Sequence, residues 1–313
     1  MFLERHCHLS PGTAATGKRG DCLTPADSNG YSAKIHQATF LGPAMSDAPE
    51  RLTIDGSFKQ HLCWSPDGKR FLFTRIVGGK MGIWTMNADG SDLRPLLNQG
   101  APHFDGHWSP DSRRIAFVYD VLGGTDGKLS IHSVNSDGSE DKVLVPNKAF
   151  EESPRWSPDG KRLAFVSTRA GNQDIYVADA RGANVKRLTS DVAADNNPSW
   201  SPEGKEIVFA SARSGNLEIH VMDAEGNNVR RLTNNSAIDY WPVWSPDGRL
   251  IAFTSNRDGN YEIYVMNPDG SAQTNLTRNP AQDNYATWSP DGQRLAFISN
   301  RAGGHDVYVM NVK

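Results

Sequence analysis

Trp156-Ser157-Pro158-Asp159-Gly160-Lys161-Arg162-Leu163-Ala164-Phe165-Val166 decides the fold. Pro-Asp-Gly pre-sets a tight turn, because proline fixes φ and glycine accepts the left-handed region. An aromatic residue before it and a short apolar run after it therefore read as strand, turn, strand. The string Trp-Ser-Pro-Asp/Glu recurs six times, beginning at Trp64, Trp108, Trp156, Trp200, Trp244 and Trp288, at spacings of 44, 48, 44, 44 and 44 residues. Repetition at a fixed period overrides the two-domain expectation from length alone.

The register holds on both sides of each Trp. Nine residues after it stand Phe73, Phe117, Phe165, Phe209, Phe253 and Phe297. Twelve residues before it stand Leu52, Leu96, Leu144, Leu188, Leu232 and Leu276. Nineteen residues after it stand Ile83, Ile175, Ile219, Ile263 and Val307; the second unit arrives late, at Ile131, because it carries four extra residues. A polar loop and a third strand such as Glu262-Ile263-Tyr264-Val265-Met266 follow. A second tight turn, Asn267-Pro268-Asp269-Gly270, leads to a fourth strand. Four strands in each 40–50-residue unit predict an all-β, six-bladed propeller of four-stranded antiparallel blades. The last unit lacks a fourth strand, and Glu50-Arg51-Leu52-Thr53 matches that strand's pattern ahead of the first blade. The expectation is an N-terminal strand that completes the last blade and closes the ring, leaving no open sheet edge.

The 313 residues are 37% hydrophobic and 22% charged, with 29 glycines and 18 prolines. That is enough apolar material for a core and too little glycine and proline for a low-complexity chain. A net charge of −3 disfavours a nucleic-acid-coating role. No apolar run is long enough for a membrane-spanning helix, so no membrane insertion is expected. Three cysteines do not make a disulfide framework, and Cys63 reads as a buried thiol. Residues 1–48 hold no repeat; they read as a disordered leader, or as sequence ahead of a start at Met45, with the propeller over 49–313. The opening residues lack the apolar core of an export signal, so the expected location is the cytoplasm.

The units resemble the repeats of TolB-type β-propellers. The resemblance rests on Trp-Ser-Pro-Asp-Gly, Leu-Ala-Phe, Asn-Arg and Glu-Ile-Tyr-Val-Met-Asn, and runs from Glu50 to Lys313. It implies a propeller without the family's additional N-terminal domain, acting as a scaffold for a protein or peptide partner. The family's location would make the compartment periplasmic instead. Related propellers that cleave pectic oligosaccharides with a histidine-held metal suggest the alternative, a metal-assisted lyase or hydrolase acting on an acidic oligosaccharide in the channel.

Function in such a fold belongs to the loops and strands around the channel mouth. Five residues before the Trp stand Asp195, Asp239 and Asp283, and the loops after the second strand carry Arg169, Arg213, Arg257 and Arg301. Matched numbers suggest ion pairs between neighbouring loops. The departures from the repeat are the better candidates for binding. In His103-Phe104-Asp105-Gly106-His107, an extended strand would put His103, Asp105 and His107 on one side. His61 stands at the register of Asp105, and the longer loop of the second unit runs from Asp120 to Lys128. Tyr240, Trp241 and Tyr285 offer aromatic faces across the mouth. Histidine and aspartate facing aromatics suit metal, sugar or peptide binding. His103, Asp105 and His107 are the candidate ligands for a divalent metal under the alternative; otherwise no cofactor is expected, no catalytic residue stands out, and a monomer is expected. Asp258, Asn260 and Glu262 alternate oxygen ligands but lack the full set of a calcium loop.

Overall fold

A computed structural model describes residues 48–97, 102–120, 129–146 and 149–312. Residues 1–47 and Lys128 lie outside the described residues, and with them the leader reading and one candidate mouth residue. The described chain forms six four-stranded antiparallel sheets. Each repeat supplies one blade, with the Trp on the innermost strand; in blade 4 the strands are Asp195–Trp200, Glu206–Ser211, Glu218–Asp223 and Arg230–Arg231. The sixth sheet consists of Asp283–Trp288, Arg294–Ser299 and Asp306–Asn311, completed by Glu50–Arg51. Glu50 pairs with Val309 and Arg51 with Tyr308, so the N-terminal strand closes the ring. No helix among the described residues is long and apolar enough to cross a membrane.

The repeated apolar positions explain themselves once the blades are side by side. The core consists of six clusters, and each joins two adjacent blades. Between blades 3 and 4, Ala164, Ile175 and Val177 meet Trp200, Ile207 and Phe209. The Trp and Phe of one repeat thus face the preceding blade, while the third-strand Ile and the outer-strand Leu face the following one. Strands buried on both faces carry near-continuous apolar runs, as Leu163-Ala164-Phe165-Val166 does.

Two tight turns hold each blade's polar end. In the first, the Ser157 hydroxyl donates to Asp159 Oδ1 at 2.6 Å and accepts from the Arg162 N–H at 2.9 Å. In the second, Gly182 adopts φ 76°, and a Cβ there would stand 1.7 Å from the Leu144 carbonyl oxygen of the preceding blade. Glycine is required both by the dihedral and by the close approach. Gly182→Ala is expected to destabilise the fold by at least about 2 kcal/mol, from left-handed strain plus displacement of the neighbouring backbone. Urea unfolding checks this, with Ala183→Gly as a control that leaves the contact intact.

Candidate functional site

The innermost strands ring the channel, and each contains a bulge three residues before its Trp. In blade 4, Asn196 pairs with Ala210 but Ser199 pairs with Val208, so one extra residue sits on the inner strand. His61, Asp105, Ser153, Asn197, Trp241 and Tyr285 occupy this position in the six blades, all with φ between 50° and 57°. A non-glycine residue in the left-handed region is uncommon, and six at one position are a built feature. A second ring stands one residue before each Trp: Cys63, His107, Arg155, Ser199, Val243 and Thr287. The second ring and every bulge residue except Ser153 line one cavity at the mouth. Trp, Phe and Leu scarcely change between repeats, whereas these two columns differ in nearly every blade.

One side of the mouth is aromatic. Trp241 and Tyr285 have ring centroids 3.7 Å apart with planes 32° apart. Tyr240 lies 3.9 Å from Trp241 and Tyr261 lies 5.5 Å from Tyr240. Tyr285 also meets His61 edge-on at 5.2 Å, and His61 lies 6.2 Å from Phe104. The arc therefore runs through blades 5, 6 and 1 and ends on Phe104 of blade 2, which does not line the cavity.

The other side is polar. Arg155 Nη1 donates to Asp105 Oδ1 and to the Pro154 carbonyl, both at 2.9 Å. The Asp105 N–H donates to Thr74 Oγ1 at 3.0 Å, and that hydroxyl lies 3.2 Å from His61 Nδ1. Burial opposes ionisation of Asp105, but the charge of Arg155 overcomes it and holds the carboxyl below the usual range. Burial, reinforced by Arg155, pushes the His107 imidazole down to about 3, so it is neutral at neutral pH. Burial also lowers His61, against the pull of Asp105. Glu152 is raised by burial and by Asp105, and accepts from Gln173 Nε2 at 3.3 Å.

The structure joins His61, Asp105, His107, Trp241 and Tyr285 in one cavity. Tyr240 supports them from behind, and its hydroxyl donates to Asn284 Oδ1 at 3.3 Å. The extended alternation expected for His103, Asp105 and His107 does not survive the bulge between Phe104 and His107. His103 is instead buried against Phe117 and Tyr119, with centroids 5.6 and 5.2 Å away. Asp120 ends the second strand of blade 2, where its N–H donates to the Pro102 carbonyl at 3.0 Å, away from the cavity. Cys63 is not a fully buried core thiol; it is half-buried and lines the cavity, with burial pushing its thiol up to about 11. Arg155, which sequence reasoning passed over, is the cation that orders the polar side.

The rim arginines and acids pair within single blades rather than between neighbouring ones. Arg213 meets Asp195 at 2.9 Å, Arg257 meets Asp239 at 2.8 Å, Arg301 meets Asp283 at 2.8 Å, and Arg169 meets Glu151 at 2.9 Å. Each guanidinium also lies over the Phe of its blade, 5.1 to 5.4 Å from the ring centroid. These charges fasten the loop after the second strand to the innermost strand.

The donor set does not fit a metal. Among the described residues no three His, Cys, Asp or Glu side chains come together in a group able to hold an ion. Asp105 is committed to Arg155 and His103 points elsewhere. Nor do the oxygens of the blade 5 loop converge: the Asn260 amide donates to Glu262 Oε1 and to two carbonyls, while Asp258 accepts from Tyr264 and Asn275.

The TolB beta propeller domain profile matches residues 96–240 and 233–313. Comparison with curated protein sequences gives no match. Among solved structures, a putative TolB from Agrobacterium tumefaciens is 24% identical with a TM-score of 0.66, over 84% of this chain and 93% of that one. TolB from Acinetobacter baumannii is 23% identical with a TM-score of 0.62, over 80% of this chain and 63% of that one. An oligogalacturonate lyase in complex with manganese is 15% identical with a TM-score of 0.58, over 84% of this chain and 92% of that one. At these identities the likenesses show the fold alone.

Proposed function

The chain belongs to the TolB β-propeller family, and from that membership we propose that it is a non-enzymatic binding propeller, holding a peptide segment of a protein partner at its channel mouth. The observation that carries this reading is the contrast between columns of the repeat. Positions that pack blade on blade stay the same, while the two rings facing the channel carry His, Asp, Ser, Asn, Trp and Tyr, and Cys, His, Arg, Ser, Val and Thr. A scaffold position needs one residue six times over, whereas a binding surface needs a different group at each point of contact. The resulting wall is aromatic through blades 5, 6 and 1 and hydrogen-bonding through blades 2 to 4. Such a wall suits an extended peptide, with side chains against the rings and backbone amides against Asp105, Asn197 and Ser199.

Selection of peptides from a display library on the full chain tests this. Peptides that bind the parent are expected to lose at least about 30-fold in affinity on Trp241→Ala, as for a central aromatic anchor. Arg213→Gln, on the rim, is expected to lower stability while leaving that affinity unchanged. If the library yields no peptide, or if all selected peptides bind Trp241→Ala as well as the parent, the reading fails.

A further inference from the structure

Each innermost strand ends in the same Trp-Ser-Pro turn, so the end of the channel away from the mouth receives an indole and a proline from successive blades. A second cavity of about 310 Å³ opens there, walled by Trp108, Trp156, Trp200, Trp244, Pro66, Pro110 and Pro158. It meets the mouth cavity at His107, Arg155, Ser199 and Val243, which line both. Among the described residues no acidic side chain lines this second cavity, and its one ionised group is Arg155, since His107 is held neutral.

Arg155 is placed to serve two sides. Both of its hydrogen bonds leave from Nη1, toward Asp105 and Pro154. A guanidinium carries five N–H donors. Among the described residues neither Nε nor Nη2 makes a hydrogen bond, and the side chain keeps 18% of its surface exposed. Asp105, at the bulge, holds the group from the mouth side. This pairing lowers the net charge but fixes the fork across the neck of the channel, where its remaining donors match the geometry of a carboxylate. Around that fork the walls are the exposed margins of indoles that keep 1 to 7% of their surface, together with pyrrolidine rings, an apolar surround for the body that carries the carboxylate.

We propose that this second opening binds a small organic anion, a carboxylate carried on an aromatic or aliphatic body. The site adjoins the partner-binding mouth and shares Arg155 with it, but its ligand and its test are its own. The test uses the full chain with phenylacetate and its neutral isostere phenylacetamide, followed by calorimetry and by quenching of tryptophan fluorescence. Phenylacetate is expected to bind about tenfold more tightly than the amide. Arg155→Gln is expected to abolish that preference and Arg155→Lys to retain part of it. Pro158→Trp, which fills the opening, is expected to abolish binding of both compounds, and Trp241→Ala at the mouth to change neither. Equal affinity for acid and amide, no binding of either, or a preference that survives Arg155→Gln would overturn the proposal. Failure of the mouth reading alone would leave these titrations untouched.

Discussion

Lys59→Met is expected to lower the thermal midpoint by roughly 6–20 °C, corresponding to the loss of about 3–5 kcal/mol when one member of a buried ion pair is removed. Lys59 stands five residues before Trp64, where later blades carry Glu151, Asp195, Asp239 and Asp283. Its side chain is fully buried. Nζ donates to Asp55 Oδ1 at 2.6 Å, to the Ser57 hydroxyl at 3.0 Å and to the His305 carbonyl at 3.0 Å, and lies 3.4 Å from Asp306 Oδ1. Asp306 belongs to blade 6 and accepts from Arg51 at 2.6 Å and from Thr53 at 2.7 Å. The charge reversal therefore sits at the one junction where the ring closes. Methionine matches the length of lysine but leaves two carboxylates short of a donor.

The same junction predicts a pH dependence. Burial opposes ionisation of Asp55 and Asp306, but hydrogen bonds and the Lys59 charge hold both below the usual carboxylate range. Groups lowered on folding contribute fully above the unfolded carboxylate range, near pH 4, and lose that contribution as pH falls through the folded values. The stability gap between parent and Lys59→Met is therefore expected to be widest at neutral pH and to narrow below about pH 4. Thermal melts followed by circular dichroism from pH 7 to pH 3 check this; a gap that stays constant would place the loss in packing rather than charge.

Phe209→Ala is expected to cost about 3–5 kcal/mol, seen as a lower midpoint in urea with an unchanged slope. Phe209 is fully buried in the cluster that joins blades 3 and 4, against Ala164, Ile175 and Trp200. Both blades are tethered to neighbours around a closed ring, so they are poorly placed to collapse into the space left behind. Phe209→Leu keeps most of the volume and is expected to cost less than about 1.5 kcal/mol. Because the same residue stands at the same register in every blade, Phe165→Ala and Phe253→Ala are expected to cost similar amounts. A Phe209→Ala protein as stable as the parent would mean that the interfaces between blades do not carry the core.

The blades and their closure were legible in the sequence because each rests on a periodic apolar position or a turn residue with a single physical purpose. The Trp and Phe columns became the clusters between blades, and Arg51 found Tyr308 as its fourth-strand pattern implied. The mouth was only half legible. His61, Asp105, His107, Trp241 and Tyr285 stood out as departures from the repeat and share one cavity. His103 was misplaced because strict alternation carries no trace of a bulge. The bulge position admits polar and aromatic residues alike, and only its backbone angles reveal it. Arg155 and Lys59 were missed for a different reason. Each looks ordinary in its own segment, and each becomes informative only when the six repeats are read down the column: Arg155 beside Cys63, His107, Ser199, Val243 and Thr287, and Lys59 in a column otherwise acidic from blade 3 onward.

The central claim is that the bulge ring recognises the partner. Its most direct test is a calorimetric titration of the tightest selected peptide into the parent and into a variant carrying His61→Asn, Asp105→Asn, Trp241→Asn and Tyr285→Asn. Asparagine already occupies the same bulge in blade 4, at φ 51° for Asn197, so the backbone tolerates it. The expected result is a variant that keeps the parent's circular dichroism spectrum and gives no heat of binding. A folded variant that binds the peptide with the parent's affinity would contradict the claim and move recognition away from the channel mouth.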